Sequence, residues 1–569
     1  MSLLTSLRAA GADVRTAARP FSEDTATHTG RNRNIALAAA IALATIAVLA
    51  SRRTTTLTTP YLWAEDGLDI VPQFVLRGWP SLLDPISGYM AFIPRLISYI
   101  SLSVTPQAYP LTSTVLSWAF MAGVLAFIAL APTRLRARPW IALACLFVPT
   151  DPEVFGTSLY SFWWAGLILM ALTMWEYTPR LFKTRLALAV VCGLSTPISV
   201  MIAPLIALRA VTLRTRHDIA VAAAVVVCAI LQVREILAVH TDTMSSAISW
   251  RTLAQIFDKF FGRYIWGMDT ANTSQEFWLA VLGVGLAALI VYALATLKDR
   301  WLAFCLLYLL GGSIALSVMR VSVEIMGPTG GGPRYFFYPY VMLGWILIQG
   351  LASARGNMRA LFAVPLLFAL ANAVLSGWNR AADNAFSFQR QIQSCMHFQE
   401  YGMPIHKAGS RFDIFRGTYP RRVCAYIAAR MEPLDENDLR PFSWLHAGFA
   451  AGTRHPLRIV SQALSGTAAG PPPQGYTMRG TYDGLSPTGD VTLDVRRGEM
   501  ILYASGAGSK PARYDLRTAT HRFTGALPLC PETCTLAFGS DLLPETFTLR
   551  LSDDSDAPGD WFAVGQPAS

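Results

Sequence analysis

Apolar positions along this chain come in long blocks separated by short basic clusters. Blocks of about 15 to 22 residues with almost no charge are the length that crosses a hydrocarbon core as helix. The pattern predicts eleven spans, some of them shorter, at 35–50, 111–131, 139–150, 162–177, 186–196, 198–208, 218–238, 276–297, 301–319, 336–352 and 358–376. One block is awkward. "RLALAVVCGLSTPISVMIAPLIALR" has the length of one full crossing, yet Arg185 and Arg209 at its ends belong on the same side by charge, and Gly193, Ser195, Thr196 and Pro197 interrupt its middle. It is read as two half-spans that meet at "LSTPIS", because irregular backbone at membrane depth is tolerated where protein or a water-filled cavity covers it. Beyond residue 475 the period changes. "YTMRGTYD", "VTLDVRRG", "MILYASG", "YDLRT", "CTLAFG", "TFTLRLSD" and "WFAVG" are short alternating runs between turn residues, the pattern of a small β-sandwich.

Composition agrees. Of 569 residues 53% are hydrophobic and only 15% are charged, against about 25% charged in soluble domains. The expected fold class is a mainly α polytopic membrane protein with a C-terminal α/β tail ending in a small β-sandwich. The predicted organisation is a polar tail at 1–34, a transmembrane domain at 35–376 with a large first loop at 51–110, a mixed region at 377–474 and a β-rich domain at 475–569. The net charge of +10 does not indicate nucleic acid, because Lys and Arg fall in clusters between apolar runs. The segments 1–34, 132–139, 178–186, 209–217, 298–300 and 353–360 carry 18 of them. The positive-inside rule puts these segments in the cytoplasm, and the first loop and the tail outside. The first apolar run shows no clear cleavage site after it and is read as a retained helix. Four cysteines, Cys395, Cys424, Cys530 and Cys534, lie in the tail, and "CPETC" is compatible with a small disulfide loop in an oxidising compartment.

The first loop carries the candidate chemistry. "YLWAEDGLDIVPQFVLRGWPSLLDPISGYMAFIPRL" sets Glu65 and Asp66 among Tyr61, Trp63, Phe74, Trp79, Tyr89 and Phe92. The simplest role for such acids is a helix cap. Held at an aromatic, amphipathic membrane surface, however, a partly desolvated carboxylate becomes a better base. Arg334 follows a Gly-rich turn in "GGPRYFF", where backbone can approach a ligand and a guanidinium can grip phosphate oxygens. Arg95 after "FIP" is a second cation, and each of these arginines could instead lie at the membrane interface by snorkelling. Asp151 and Glu153 are expected to meet acceptor hydroxyls or a divalent cation. Glu324, His240 and Arg320 are weaker candidates, and Tyr335, Phe336, Phe337 and Tyr338 could line a lipid groove or form an interface belt.

Four stretches in order, "WAEDG…GWPSLLDPISGYMAFIPRLI", "PEVFGTSLYSFWWAGL", "GLSTPISVMIAPLIALR" and "GGPRYFFYPYVMLGW", resemble bacterial GT-C-type integral membrane glycosyltransferases, in particular the O-antigen glucosyltransferase-like branch. The resemblance spans about residues 35–380 and departs from that branch at "TSLYSFWW" and in the β-rich tail. It implies transfer of a sugar from a polyprenyl-phosphate donor to a glycan or lipid-linked acceptor on the outer face of a bacterial inner membrane. It also implies an acidic first-loop base, Asp66 in preference to Glu65, and direct displacement of the lipid phosphate would invert the anomeric centre. Arg334, Arg95, Asp151, Glu153, Tyr335, Trp63 and Tyr89 are the expected substrate-binding residues. No cofactor is expected, a divalent cation being the one alternative, and the partners expected are donor, acceptor and membrane lipids, with no nucleic acid. A polysaccharide polymerase or ligase shares the lipid-phosphate chemistry. A flippase or transporter would show repeated halves and midplane charges, and a scaffold would use the β-rich tail alone.

Overall fold

The computed structural model describes residues 28–58, 60–176, 178–239, 249–267, 273–329, 331–376 and 378. Beyond these it describes 388–396, 400–406, 414–429, 431, 457–464, 476–480, 489–496, 500–505, 510, 512–519, 522–527, 533–538, 544, 546–555 and 562–567. The chain forms two units. The first comprises Met1–Thr58, Trp79–Ser101 and Leu111–Ala381, and the second Thr59–Gly78, Leu102–Pro110 and Ala382–Ser569. The predicted loop 51–110 is therefore shared, and its acid-bearing part, 59–78, packs in the unit that contains the tail.

The first unit is helical and membrane-integral. Among the described residues seven helices are long and apolar enough to cross a membrane: Asn32–Arg52, Pro106–Leu130, Arg216–Ala238, Glu276–Thr296, Arg300–Arg320, Pro333–Ser353 and Met358–Leu375. Phe92–Val104, Arg138–Phe147, Ser161–Thr173 and Ile198–Leu213 are apolar but shorter. Phe92–Val104 was not among the sequence-predicted spans. Its apolar residues are mixed with serines, and Ser98 and Ser101 are buried.

The interrupted block folds as two helices, Phe182–Gly193 and Ile198–Leu213. At about 1.5 Å per residue neither reaches the roughly 30 Å of a hydrocarbon core. The residue before a proline is pushed out of the α region, and Thr196-Pro197 sits at the break. The two distant ends come back together. Arg185 Nη2 lies 2.5 Å and Arg209 Nε 3.2 Å from the same oxygen, Oδ1 of Asp218, at the start of the next helix. All three side chains are buried. The chain enters, turns and returns, as the charge pattern required. The turn is covered by protein: Phe92 N donates to Leu194 O, Ile93 N to Ser195 Oγ, and Gln232 Nε2 to Gly193 O and Met90 O.

Arg52 is fully buried in the same unit. It donates to the carbonyls of Leu146 at 2.7 Å and Thr150 at 2.8 Å, past the end of helix Arg138–Ala144. Its guanidinium lies over the rings of Phe155 and Trp378.

In the second unit, helices Phe388–Cys395 and Arg421–Ala428 are joined by a disulfide between Cys395 and Cys424. Strands Glu400–His406 and Ile414–Pro420 pair antiparallel between them. Ile392, Ile405, Tyr419, Val423 and Ile427 have no exposed surface and form the small core here. The "CPETC" pairing lies outside the described residues, since Cys530 does.

The remaining strands make two antiparallel sheets. The four-stranded sheet orders Arg522–Ala526, Arg513–Arg517, Thr546–Asp553 and Gly489–Arg496. The five-stranded sheet orders Leu457–Leu464, Thr533–Phe538, Met500–Ser505, Phe562–Pro567 and Tyr476–Gly480. Alternate residues of both sheets (Leu493, Val495, Leu516 and Leu549 from one, Ile501, Tyr503, Phe562 and Val564 from the other) share one core, as period-two strands in a sandwich must. All seven runs read from the sequence are strands. Two more are present, Arg522–Ala526 and Leu457–Leu464. The latter precedes the Pro/Gly run 466–475, which therefore connects strands of one sheet, and the sandwich begins ahead of residue 475.

Candidate functional site

The first group of candidates belongs to the second unit. Residues Asp66–Ile70 form a π-helical turn, an uncommon element that is frequent at functional sites. It continues into the helix Val71–Arg77. Ala64 enters it at φ 42°, a left-handed conformation rare for a residue with a Cβ. Asp66 is 4% exposed, while Glu65 is half-buried. Glu65 occupies the cap position, with no side-chain capping bond, and Asp66 N donates to Trp63 O at 3.0 Å. The capping role open from sequence is thus not the one Glu65 plays.

The tail supports this turn directly. Tyr419 Oη donates to Gly67 O at 2.6 Å. A Cβ on Gly67 would stand 3.1 Å from both Ile405 and Leu62, so glycine permits the close approach. Phe74 meets Tyr426 edge-on at 6.1 Å, and Tyr61 lies 6.3 Å from Trp63. Burial, followed by the nearby Tyr109, Asp66 and Asp69, pushes the Tyr419 phenol well above its ordinary value. Tyr419 was not singled out in the sequence. An isolated tyrosine 350 or so residues from its partner carries no local signal.

The second group belongs to the first unit. Arg334 Nη1 lies 2.6 Å from Glu153 Oε1, and the Tyr160 hydroxyl donates to the same oxygen at 2.5 Å. Glu153 is fully buried, whereas the Arg334 side chain keeps 31% of its surface. The guanidinium stacks 5.1 Å over Tyr335, whose ring meets Trp163 edge-on. Glu153 thus holds the cation from within, while part of the arginine side chain stays exposed. Asp151 is half-buried, and its N–H donates to Pro328 O at 2.8 Å.

The loop before Arg334 is tied by a lysine. Lys259 Nζ donates to Val323 O at 2.6 Å, Met326 O at 2.8 Å and Glu324 O at 3.0 Å, which uses all three ammonium protons. Burial lowers its pKa. Gly327 N then closes onto Gly331 O, and Gly332 takes φ 64° to turn the chain into Pro333-Arg334. Lys259 carries no local sequence signal for this role. Its three acceptors are backbone carbonyls, which no sequence motif reveals.

Arg95 differs from expectation. Its side chain is buried with no exposed surface, donating to Tyr99 Oη at 3.0 Å and Pro85 O at 3.2 Å. It therefore neither snorkels nor presents a surface to a phosphate in this structure, and it braces the turn 81–86, where Ser81 meets the same tyrosine. Phe336 and Phe337 are also fully buried, against Phe260 and Trp164, and do not line an open groove. Tyr338 donates to Trp163 O, and Gly166 leaves the room its ring needs. Tyr89 is half-buried against Phe162 at 5.3 Å, and Glu324 and Arg320 are exposed. His240 lies outside the described residues. Among the described residues no group of three or more His, Cys, Asp or Glu side chains could hold a metal ion.

No protein-family model and no curated protein matches the chain. A solved structure it is similar to is the arabinosyltransferase EmbB from Mycobacterium smegmatis, seen by single-particle cryo-EM. That match covers 100% of this chain and 67% of the other at 13% identity, with a TM-score of 0.28. A superposition of that extent carries no weight for fold or activity.

Proposed function

We propose that this polytopic membrane protein is a glycosyltransferase that moves a sugar from a polyprenyl-phosphate donor to a hydroxyl of a glycan or lipid-linked acceptor. The observation that carries the reading is the Arg334 guanidinium. It is held by a fully buried carboxylate to which a phenol also donates, and its side chain keeps 31% of its surface. Such a group suits a phosphate that must be held while it departs, and Arg does this through parallel hydrogen bonds. The Gly-rich turn and the Lys259 tether set its position.

In this reading Asp66 takes the proton from the acceptor hydroxyl. The acceptor oxygen attacks the anomeric carbon from the face opposite the lipid. The bond from that carbon to the phosphate oxygen breaks, and its electron pair leaves with the polyprenyl phosphate, whose charge Arg334 stabilises. One displacement inverts the anomeric centre. A phosphate leaves without a strong general acid, unlike the alcohol released in ordinary glycoside hydrolysis. The desolvation of Asp66 favours its role over that of the more exposed Glu65. Asp151, Tyr335, Trp63 and Tyr89 are proposed to contact sugar or lipid, and Glu153 to orient Arg334.

The Cys395–Cys424 disulfide supports an extracytoplasmic tail, because such bonds persist in oxidising compartments. That matches the basic clusters, which favour a cytoplasmic N-terminus and an outer-face reaction at a bacterial inner membrane. The test is a transfer assay on purified protein with a panel of polyprenyl-phosphate sugars. Turnover of one donor supports the reading. If every donor is inert while a preassembled lipid-linked oligosaccharide is consumed, a polymerase or ligase replaces it.

A further inference from the structure

At one end of the helical unit lies a cavity of about 230 Å³. Its walls come from the turn 131–137, from Glu176, from the turn 296–299 and from the end of helix Phe337–Ser353. The frame is fixed. Gln349, with no exposed surface, accepts from Arg136 N at 3.1 Å and donates to Arg136 O at 2.9 Å. Arg134 contacts both carboxylate oxygens of Asp299 at 2.9 Å, so these two charges cancel.

Two lining cations are left, Arg136 and Lys298. Both are exposed, and among the described residues neither has a carboxylate within ion-pairing distance. The other lining acid, Glu176, is half-buried. Burial raises its pKa against the opposing pull of Arg138 and Arg134.

The helices that adjoin these walls in the chain carry exposed apolar side chains. Trp140, in the first turn of helix Arg138–Ala144, is 67% exposed, and Val291 and Tyr292, a turn before Thr296, are also exposed. In a membrane protein such a surface faces acyl chains, with aromatic rings at headgroup level. Basic pockets at helix ends beside acyl chains suit phosphate-bearing headgroups.

We propose that this cavity binds the phosphate of an anionic phospholipid, held by Arg136 and Lys298 with its acyl chains along Trp140 and Tyr292. The site is separate from the residues assigned to sugar transfer and does not depend on that assignment.

The test is native mass spectrometry of the full chain in micelles supplied with phosphatidylglycerol, phosphatidylcholine or inorganic phosphate. Wild type should retain phosphatidylglycerol over phosphatidylcholine. The double variant Arg136→Gln, Lys298→Gln should weaken that retention on the order of 10- to 30-fold, the effect of about two surface charges. Raising salt from about 0.1 to about 1 M should weaken it in wild type as well, which keeps the proposal testable should the variant misfold. Equal retention of the two lipids, or a preference unchanged in the folded variant, overturns the proposal. Displacement of the lipid by inorganic phosphate alone would also overturn it and reassign the cavity to a free anion.

Discussion

The guanidinium of Arg334 rests 2.6 Å from the carboxylate of Glu153, 181 residues away in sequence, and only the arginine reaches the surface. The pair is therefore asymmetric. Glu153 carries structural weight, and Arg334 carries both structure and a presented charge.

The two members should respond differently to substitution. Arg334→Gln strands a buried carboxylate, and removing one partner of a buried pair costs roughly 3–5 kcal/mol. The exposed third of Arg334 puts the expected loss at the lower end. Glu153→Gln keeps shape and the Tyr160 contact, so it should cost less stability while lowering affinity for the lipid-phosphate donor. Thermal unfolding and donor titration together check this. Equal loss of stability in both variants would contradict the asymmetry.

Asp218 gathers Arg185 and Arg209, the two ends of the returning helices. Asp218→Asn should leave two buried guanidiniums facing a neutral partner and destabilise the helical unit by roughly 3 kcal/mol or more. A reporter fused after residue 213 should then lose its wild-type side preference in a fraction of molecules. A variant with wild-type unfolding and a single topology would show that the carboxylate does not hold the turn.

Much of this arrangement is legible in the sequence, and the reasons differ by element. The long apolar helices and the sandwich strands declare themselves by period. Arg185 and Arg209 could be set on one side because charge placement is a local property. Tyr419 under Gly67 and Lys259 on three carbonyls could not be read, because each partner is a backbone atom in a distant segment. Arg95 misled for a related reason. An arginine beside a membrane segment reads as surface-directed, and only its bonds to Tyr99 and Pro85 show that it points into protein.

The Tyr419 bond should give a pH signature. The folded phenol titrates above its ordinary value, so its contribution is complete below about pH 10, the unfolded value, and is lost as pH rises from there through the folded value. Tyr419→Phe should cost about 1 kcal/mol at neutral pH, and its deficit against wild type should shrink in alkali. Denaturant midpoints of the two proteins from about pH 8 to 11 measure this, and a constant gap would deny the linkage.

The disulfide offers a test of sidedness. With Cys395 and Cys424 reduced in intact cells, a membrane-impermeant maleimide should label them if the tail faces outward. Cys145, Cys192, Cys228 and Cys305 are buried and should stay unlabelled. Labelling that requires permeabilised cells would place the tail in the cytoplasm and remove the outer-face reaction.

The central claim concerns Asp66, nearly buried at the head of its π-helical turn. The most direct measurement is the turnover of purified Asp66→Asn beside wild type on an accepted polyprenyl-phosphate sugar, with unfolding temperature recorded for both. The account predicts a loss of 10²-fold or more, about the worth of a general base, with donor affinity and fold retained. A folded Asp66→Asn protein that transfers sugar at the wild-type rate would contradict it.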